Sequence, residues 1–170
     1  MRHLLLILLL LISITVKSQQ NFLLENTLSS AEQEVFNVIV ALFDGMREAD
    51  STKVRTAFRQ NATMSTSLIQ KDGSPLFKKG DLENFIKAIG TPHQEIWDEA
   101  LWNVAIKIED NLAMIWTEYA FYRGKTFSHC GVDAFMLNRD LQGWKIYQLT
   151  DTRKTEGCII PHEISEKRNK

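Results

Sequence analysis

The side chains able to move a proton or hold a ligand gather in the second half of the chain. They are Trp102, Tyr119, His129, Asp133, Asp151 and Arg153, with two cysteines, Cys130 and Cys158, among them. A phenol can polarise an oxygen, an imidazole titrates near neutrality, a buried carboxylate can act as a general base, and an indole offers a flat apolar wall. His129 and Cys130 are neighbours on one β-prone run, so their side chains leave opposite faces, which argues against a Cys–His catalytic pair or a shared metal. His93 and His162 fall in a loop and in the tail without ligand-like spacing. No Gly-rich phosphate loop and no serine nucleophile elbow occurs, so the sequence implies neither a cofactor nor a metal.

Whether these residues meet depends on four long runs that must position them: Glu95 to Ile108, Leu112 to Tyr122, Thr126 to Asn138 and Trp144 to Arg153. The turns between them are too short for parallel crossovers, so the four pair antiparallel. Centring the first hairpin on Asp110-Asn111 sets Trp102 opposite Tyr119, Val104 opposite Thr117 and Ile106 opposite Ile115. Centring the second on Gly124 sets Tyr119 beside His129 and Ile115 beside Asp133. One lateral row then reads Trp102, Tyr119, His129, on the face shared with Val104, Ile106, Ile108, Ile115 and Phe121. The plainer alternative is that indole, phenol and imidazole satisfy one another at the rim of a core.

Gly131, inside a strand, marks a bulge, a bend or a close approach, with the first two preferred. A bulge there would send Asp133 to the face opposite His129. In the last strand either Trp144, Ile146, Thr150 and Thr152 face inward, the preferred choice, or Tyr147, Leu149, Asp151 and Arg153 do. Under the second choice Asp151 and Arg153 join the row and can grip a ligand. Cys130 and Cys158 are either bridged or two separate buried thiols.

Upstream lie the elements that must cover this sheet. Apolar residues recur at helical spacing through Val35, Val38, Ile39, Leu42 and Met46, behind a capping-box spacing at Ser30 and Gln33. Asp50 caps a shorter second helix, and Gly80-Asp81 opens a third carrying Leu82, Phe85, Ile86 and Ile89. A β-prone stretch from Ala62 to Ile69 turns at Asp72-Gly73 into Leu76 and Phe77. Helices first and strands later make an α+β domain over residues 29–158, followed by a charged flexible tail, 159–170.

The chain opens with Arg2 and His3 and an apolar run from Leu4 to Val16. Those 13 residues fall short of the roughly 20 needed to span a bilayer, so residues 1–18 read as a signal peptide and the protein as secreted or periplasmic. Removing them leaves 18 Lys and Arg against 21 Asp and Glu, a formal charge of −3. A chain without a basic stripe has no electrostatic footprint for nucleic acid, and no attraction to an anionic membrane once the leader is cleaved. The outer sheet face, with Met114, Trp116, Ala120, Val132, Ala134 and Met136, is too apolar for bare water and reads as a homodimer interface.

The wording of the last third, AMIWTEYAFY from Ala113 to Tyr122, FSHCGVD from Phe127 to Asp133, Gly143 to Ile146, and Asp151-Thr152-Arg153 with Gly157-Cys158, resembles the nuclear transport factor 2-like superfamily. That superfamily includes ketosteroid isomerase, scytalone dehydratase and polyketide cyclases, and the likeness is strongest to exported bacterial members described as lumazine-binding-like. It implies a cone of three helices against a bent sheet, with a pocket at the open end and dimers through the sheet. It transfers no catalytic role to a numbered residue. The expectation is a non-catalytic binder of a small apolar or aromatic molecule. Its alternatives are an acid-base enzyme of isomerase, dehydratase or cyclase type using the same pocket, and a dimerising module without ligand.

Overall fold

A computed structural model describes residues 28–169, with side chains through residue 166. The segment read as a signal peptide lies outside the described residues. Helix α1 (Ser30–Glu48) begins at a capping box one position earlier than its spacing suggested: Glu32 N donates to Ser29 Oγ at 3.3 Å, and Ser29 N donates back to Glu32 Oε2 at 2.8 Å. Ala49 closes it with φ 55°. Asp50 then caps α2 (Ser51–Ala57), accepting from Lys53 N at 2.9 Å. Gly45 lets the two helices meet, because a Cβ there would stand 2.8 Å from Val54 Cγ2. Helix α3 (Leu82–Ile89) is capped by Asp81, as its sequence predicts.

The strands are β1 (Phe58–Ile69), β2 (Pro75–Lys79), β3 (Trp97–Glu109), β4 (Leu112–Arg123), β5 (Thr126–Asp140) and β6 (Gly143–Thr152). They form one sheet in the order β2-β1-β6-β5-β4-β3. All neighbours pair antiparallel except β1 with β6, which pair parallel after the long excursion through β3 to β5. Val35, Ile39, Leu42, Phe43 and Met46 of α1 are buried against Ile115, Tyr119, Phe135, Leu137 and Ile146 on the inner sheet face. That is the packing the helical spacing of those residues requires.

Single inserted residues in β3, β5 and β6 decide which side chains of those strands face inward, while β1 shifts against β6 between Phe58 and Thr63. In β3, Trp102 pairs with Glu118 but Ala105 with Trp116, so one extra residue enters at Asn103, whose φ is 51°. In β5, Phe121 pairs with His129 while Tyr122 pairs with Phe127, leaving Ser128 as the insertion. In β6 the register slips between Ile146 and Gln148, at Tyr147. Each insertion exchanges the faces of everything beyond it.

Beyond β6 the chain returns over the outer sheet face, and the stretch that reads as a charged flexible tail, 159–170, contains α4 (His162–Asn169). Ile160 packs with Cys158 on the outer cluster of Ala120, Tyr122 and Cys130. The sulfurs of Cys130 and Cys158 lie 1.96 Å apart, bonded.

Candidate functional site

The open end of the curved sheet holds a cavity of about 100 Å³ between α1, α3 and the inner faces of β3 to β6. Leu42, Phe43 and Met46 of α1, Phe85 of α3 and Leu149 of β6 form its apolar wall. Its polar floor is Glu99, Tyr119, His129, Asp133, Asp151 and Arg153. Five of those six are residues singled out from the sequence.

Tyr119 is the centre of the floor. The observed β4–β5 register sets it opposite Gly131 rather than His129, a shift of two residues from the hairpin estimate. An even shift keeps every side chain on its face. His129 and Asp133 therefore flank Tyr119 on either side of Gly131, and the phenol and imidazole rings meet edge to face with centroids 5.7 Å apart. Gly131 causes no bulge; the insertion lies at Ser128, before His129, and so His129 and Asp133 share the inner face. What the glycine provides is room: a Cβ at position 131 would stand 1.9 Å from the Thr152 carbonyl oxygen. That oxygen accepts from the Tyr119 hydroxyl at 2.9 Å, with Asp151 Oδ2 at 3.3 Å from the same hydroxyl.

The last strand follows neither of the two patterns its sequence allowed. Trp144 and Ile146 face inward as in the first, but the insertion at Tyr147 then brings Leu149 and Asp151 inward as in the second, while Thr150 and Thr152 do not join the core. Asp151 is buried at 8 % exposure and accepts from Arg153 Nε at 2.5 Å. Both thus reach the floor, and a buried carboxylate is paired with the one guanidinium beside it.

Trp102 requires a correction. The insertion at Asn103 reverses the faces of the first half of β3, so Trp102 pairs with Glu118 rather than Tyr119 and leaves the cavity. Its indole Nε1 donates to Glu118 Oε2 at 2.8 Å, and its ring packs against the outer cluster of Ala120, Tyr122 and Cys130. Glu99 takes the inward place, opposite Phe121. Sequence reasoning passed over Glu99 because it assumed an unbroken alternation through β3. The available signal was Asn103, a residue depleted in strand interiors and tolerant of positive φ.

Burial pushes the Asp133 carboxyl up to about 7, the hydrogen bond with Glu99 pulling it down and Asp151 pushing it further up. Glu99 is raised well above the ordinary carboxylate range by burial and by the charge of Asp133. Two carboxyls this close cannot both ionise easily, so ionising one disfavours ionising the other. Asp133 Oδ2 is buried and, among the described residues, meets no donor from backbone or from any other side chain. His129 is pushed down to about 4 by burial, then by the Arg153 charge, which keeps its imidazole neutral at pH 7. Burial, with Asp151 nearby, raises Tyr119 and keeps the phenol protonated. The floor thus offers a hydroxyl, a neutral imidazole and a carboxyl pair that can take or give one proton near pH 7.

A second, wider hollow of about 430 Å³ lies between α1 and the start of β3, lined by Val40, Phe43, Arg47, Glu99, Leu101 and Ile164 among others. Phe43 and Glu99 line both spaces, so the two hollows adjoin across those side chains. Arg47 holds its position there through an ion pair to Asp98 at 3.0 Å.

A helix-filled curved sheet with a chamber at its open end defines the nuclear transport factor 2-like class. The same fold occurs in a nuclear transport factor 2-like protein with a cystatin-like fold from Novosphingobium aromaticivorans, at 13% identity, TM-score 0.57, over 92% of this chain and 96% of that one. It occurs also in a nuclear transport factor 2-like protein of unknown function from Shewanella baltica, at 18% identity, TM-score 0.54, over 76% and 99%. Within that class the chain belongs to the family described as "Putative lumazine-binding", which it matches over residues 30–149. No curated protein matches it significantly.

Proposed function

We propose that this chain is an exported protein that binds a small molecule in the cavity floored by Tyr119, His129 and Asp133. The observation that carries the reading is the Asp133 carboxyl, 4 % exposed, with an oxygen that the fold leaves without an external donor. Buried polar groups are ordinarily paired, and an unpaired one on a residue that lines a cavity is a place kept for something that arrives. Membership of a family described as lumazine-binding supports ligand binding without naming the ligand. The leader-like segment of the sequence and the Cys130–Cys158 bridge support export into an oxidising compartment. The uncovered part of the outer face, with Trp116 49 % and Met114 38 % exposed, supports a homodimer through the sheet.

A second reading is favoured by one specific observation: the pKa of Asp133 near 7. A carboxyl tuned to neutrality beside a protonated phenol suits proton transfer on a bound carbonyl compound, with Asp133 as base and Tyr119 as donor to the oxygen.

Thermal-shift screening of the purified protein against a small-molecule panel, repeated with Asp133→Asn and His129→Ala, tests the binding reading. Compounds that raise the melting temperature of the wild type and lose that effect in both variants support it. A panel without a single stabilising compound, or hits indifferent to both substitutions, overturns it.

A further inference from the structure

The charge on the cavity floor says what kind of head group the occupant carries; this inference rests on the binding reading above. Three carboxyls, Glu99, Asp133 and Asp151, face one guanidinium, Arg153. Asp151 is already satisfied, by Arg153 Nε and by the Tyr119 hydroxyl. The Tyr119 proton is directed to Thr152 and Asp151, and the His129 imidazole has Ser128 Oγ 3.0 Å from its Nδ1. Glu99 and Asp133 line the chamber together, and among the described residues Asp133 Oδ2 has no hydrogen-bond donor. An anion entering the chamber would meet an excess of carboxyls, and Arg153, the one cation on the floor, already faces Asp151. A donor bearing positive charge meets what the floor lacks, since a hydrogen bond from a charged donor to a carboxylate is about twice as strong as a neutral one.

Size and shape narrow the class. A chamber of about 100 Å³ has room for roughly three waters, well below the 300 Å³ or more of a site that encloses a whole drug-sized ligand. It therefore takes a head group of a few atoms, and the space nearest for the body is the adjoining 430 Å³ hollow that shares Phe43 and Glu99 with it and includes Leu101 and Ile164. Among the described residues no three His, Cys, Asp or Glu stand together as metal ligands.

We propose that the occupant is a small organic cation, an amidinium or primary ammonium head carrying an apolar or aromatic body, with its N–H groups on Asp133 and Glu99 and its body along Phe43 and Leu101. Its charge is met by the carboxyl pair, and its rings or chain by the apolar mouth.

Benzamidine, benzamide and benzoate have nearly one shape and carry positive, zero and negative charge. Isothermal titration of each into the full protein at pH 8 reads the preference directly. Benzamidine is expected to bind at least about tenfold more tightly than benzamide, with benzoate weakest. Asp133→Asn is expected to reduce that ratio to about threefold or less while benzamide binding persists. Should that variant fold poorly, Glu99→Gln, which keeps the Asp133 acceptor, is expected to retain a preference for the cation. Benzamide or benzoate binding as tightly as benzamidine overturns the cationic assignment and leaves the pocket standing. A preference that survives intact in Asp133→Asn overturns it too. Failure of all three to bind the wild type, with no hit in the wider thermal-shift panel, removes both the assignment and the pocket.

Discussion

The carbonyl oxygen of Thr152 occupies the space where a side chain on Gly131 would begin, 1.9 Å from an ideal Cβ. The glycine lets β6 lean over β5, and the lean delivers that oxygen to the Tyr119 hydroxyl at 2.9 Å. Thr152 also receives Val132 N on its Oγ1 at 3.0 Å, which locks the two strands in this position. Gly131→Ala must push one backbone segment away from another, which costs about 1–3 kcal/mol in a packed interior. Urea denaturation should show that loss, and Tyr119→Phe, which removes only the hydroxyl, should cost about 1 kcal/mol. A Gly131→Ala variant as stable as wild type would mean that the strands do not approach so closely.

Asp133 makes stability depend on pH in a particular direction. Its pKa is raised from 3.8 to about 7 in the fold, so the folded state binds the proton more tightly than the unfolded chain does. Stability from this group is in full below about pH 4 and is lost as pH rises through about 7. Glu99, raised well above its ordinary range by burial, acts in the same sense. His129, depressed from 6.5 to about 4, acts oppositely: its contribution is in place above 6.5 and is lost as pH falls toward 4. Comparing wild type with Asp133→Asn cancels the shared histidine. The stability of the variant relative to wild type is expected to be about 1–3 kcal/mol greater at pH 8 than at pH 4. A difference that does not change with pH would show that Asp133 titrates as an ordinary surface carboxylate.

The Cys130–Cys158 bridge closes a separation of 28 residues that includes β6. Constraining a loop of that length in the unfolded chain stabilises the fold by about 3–4 kcal/mol. Equilibrium denaturation with and without a reductant measures it, alongside a thiol count on the denatured, unreduced protein. A lowered midpoint under reducing conditions and no free thiol are the expected results; two free thiols would contradict the bridge.

Part of the outer sheet face is covered by the chain's own return through Cys158 and Ile160, over Ala120 and Tyr122. Trp116 and Met114 stay bare. Sedimentation at micromolar concentration is expected to give a dimer, and Trp116→Glu a monomer, because a charge on that patch cannot be buried against its symmetry mate without a partner. A wild type monomeric at all concentrations would leave the patch without that role.

Helix positions, turns and the antiparallel pairing of the last four strands were legible because each rests on local signals: Asp50 and Asp81 as caps, Asp110 and Gly124 at turns, and the spacing of Val35, Ile39, Leu42 and Met46. Tyr119, His129 and Asp133 were legible as neighbours because the error in their hairpin was even. Trp102 and Glu99 were exchanged because a single residue, Asn103, slips into β3, and one slipped residue inverts a face. Tyr147, by contrast, is an ordinary strand residue whose insertion nothing in its local sequence marks. The bend it accommodates comes from wrapping the sheet around α1, a property of the whole fold. The acid pair was illegible for the same reason, since Glu99 and Asp133 are brought together by tertiary pairing across β3, β4 and β5.

The most direct measurement is a crystal structure of the protein soaked with a compound that stabilises it. Density for the compound is expected against Asp133 and Tyr119, between Phe43 and Leu149, with its body toward Leu101. Density only on the outer sheet face or at the protein surface, with ordered water alone beside Asp133, would contradict the claim that this chamber is the binding site.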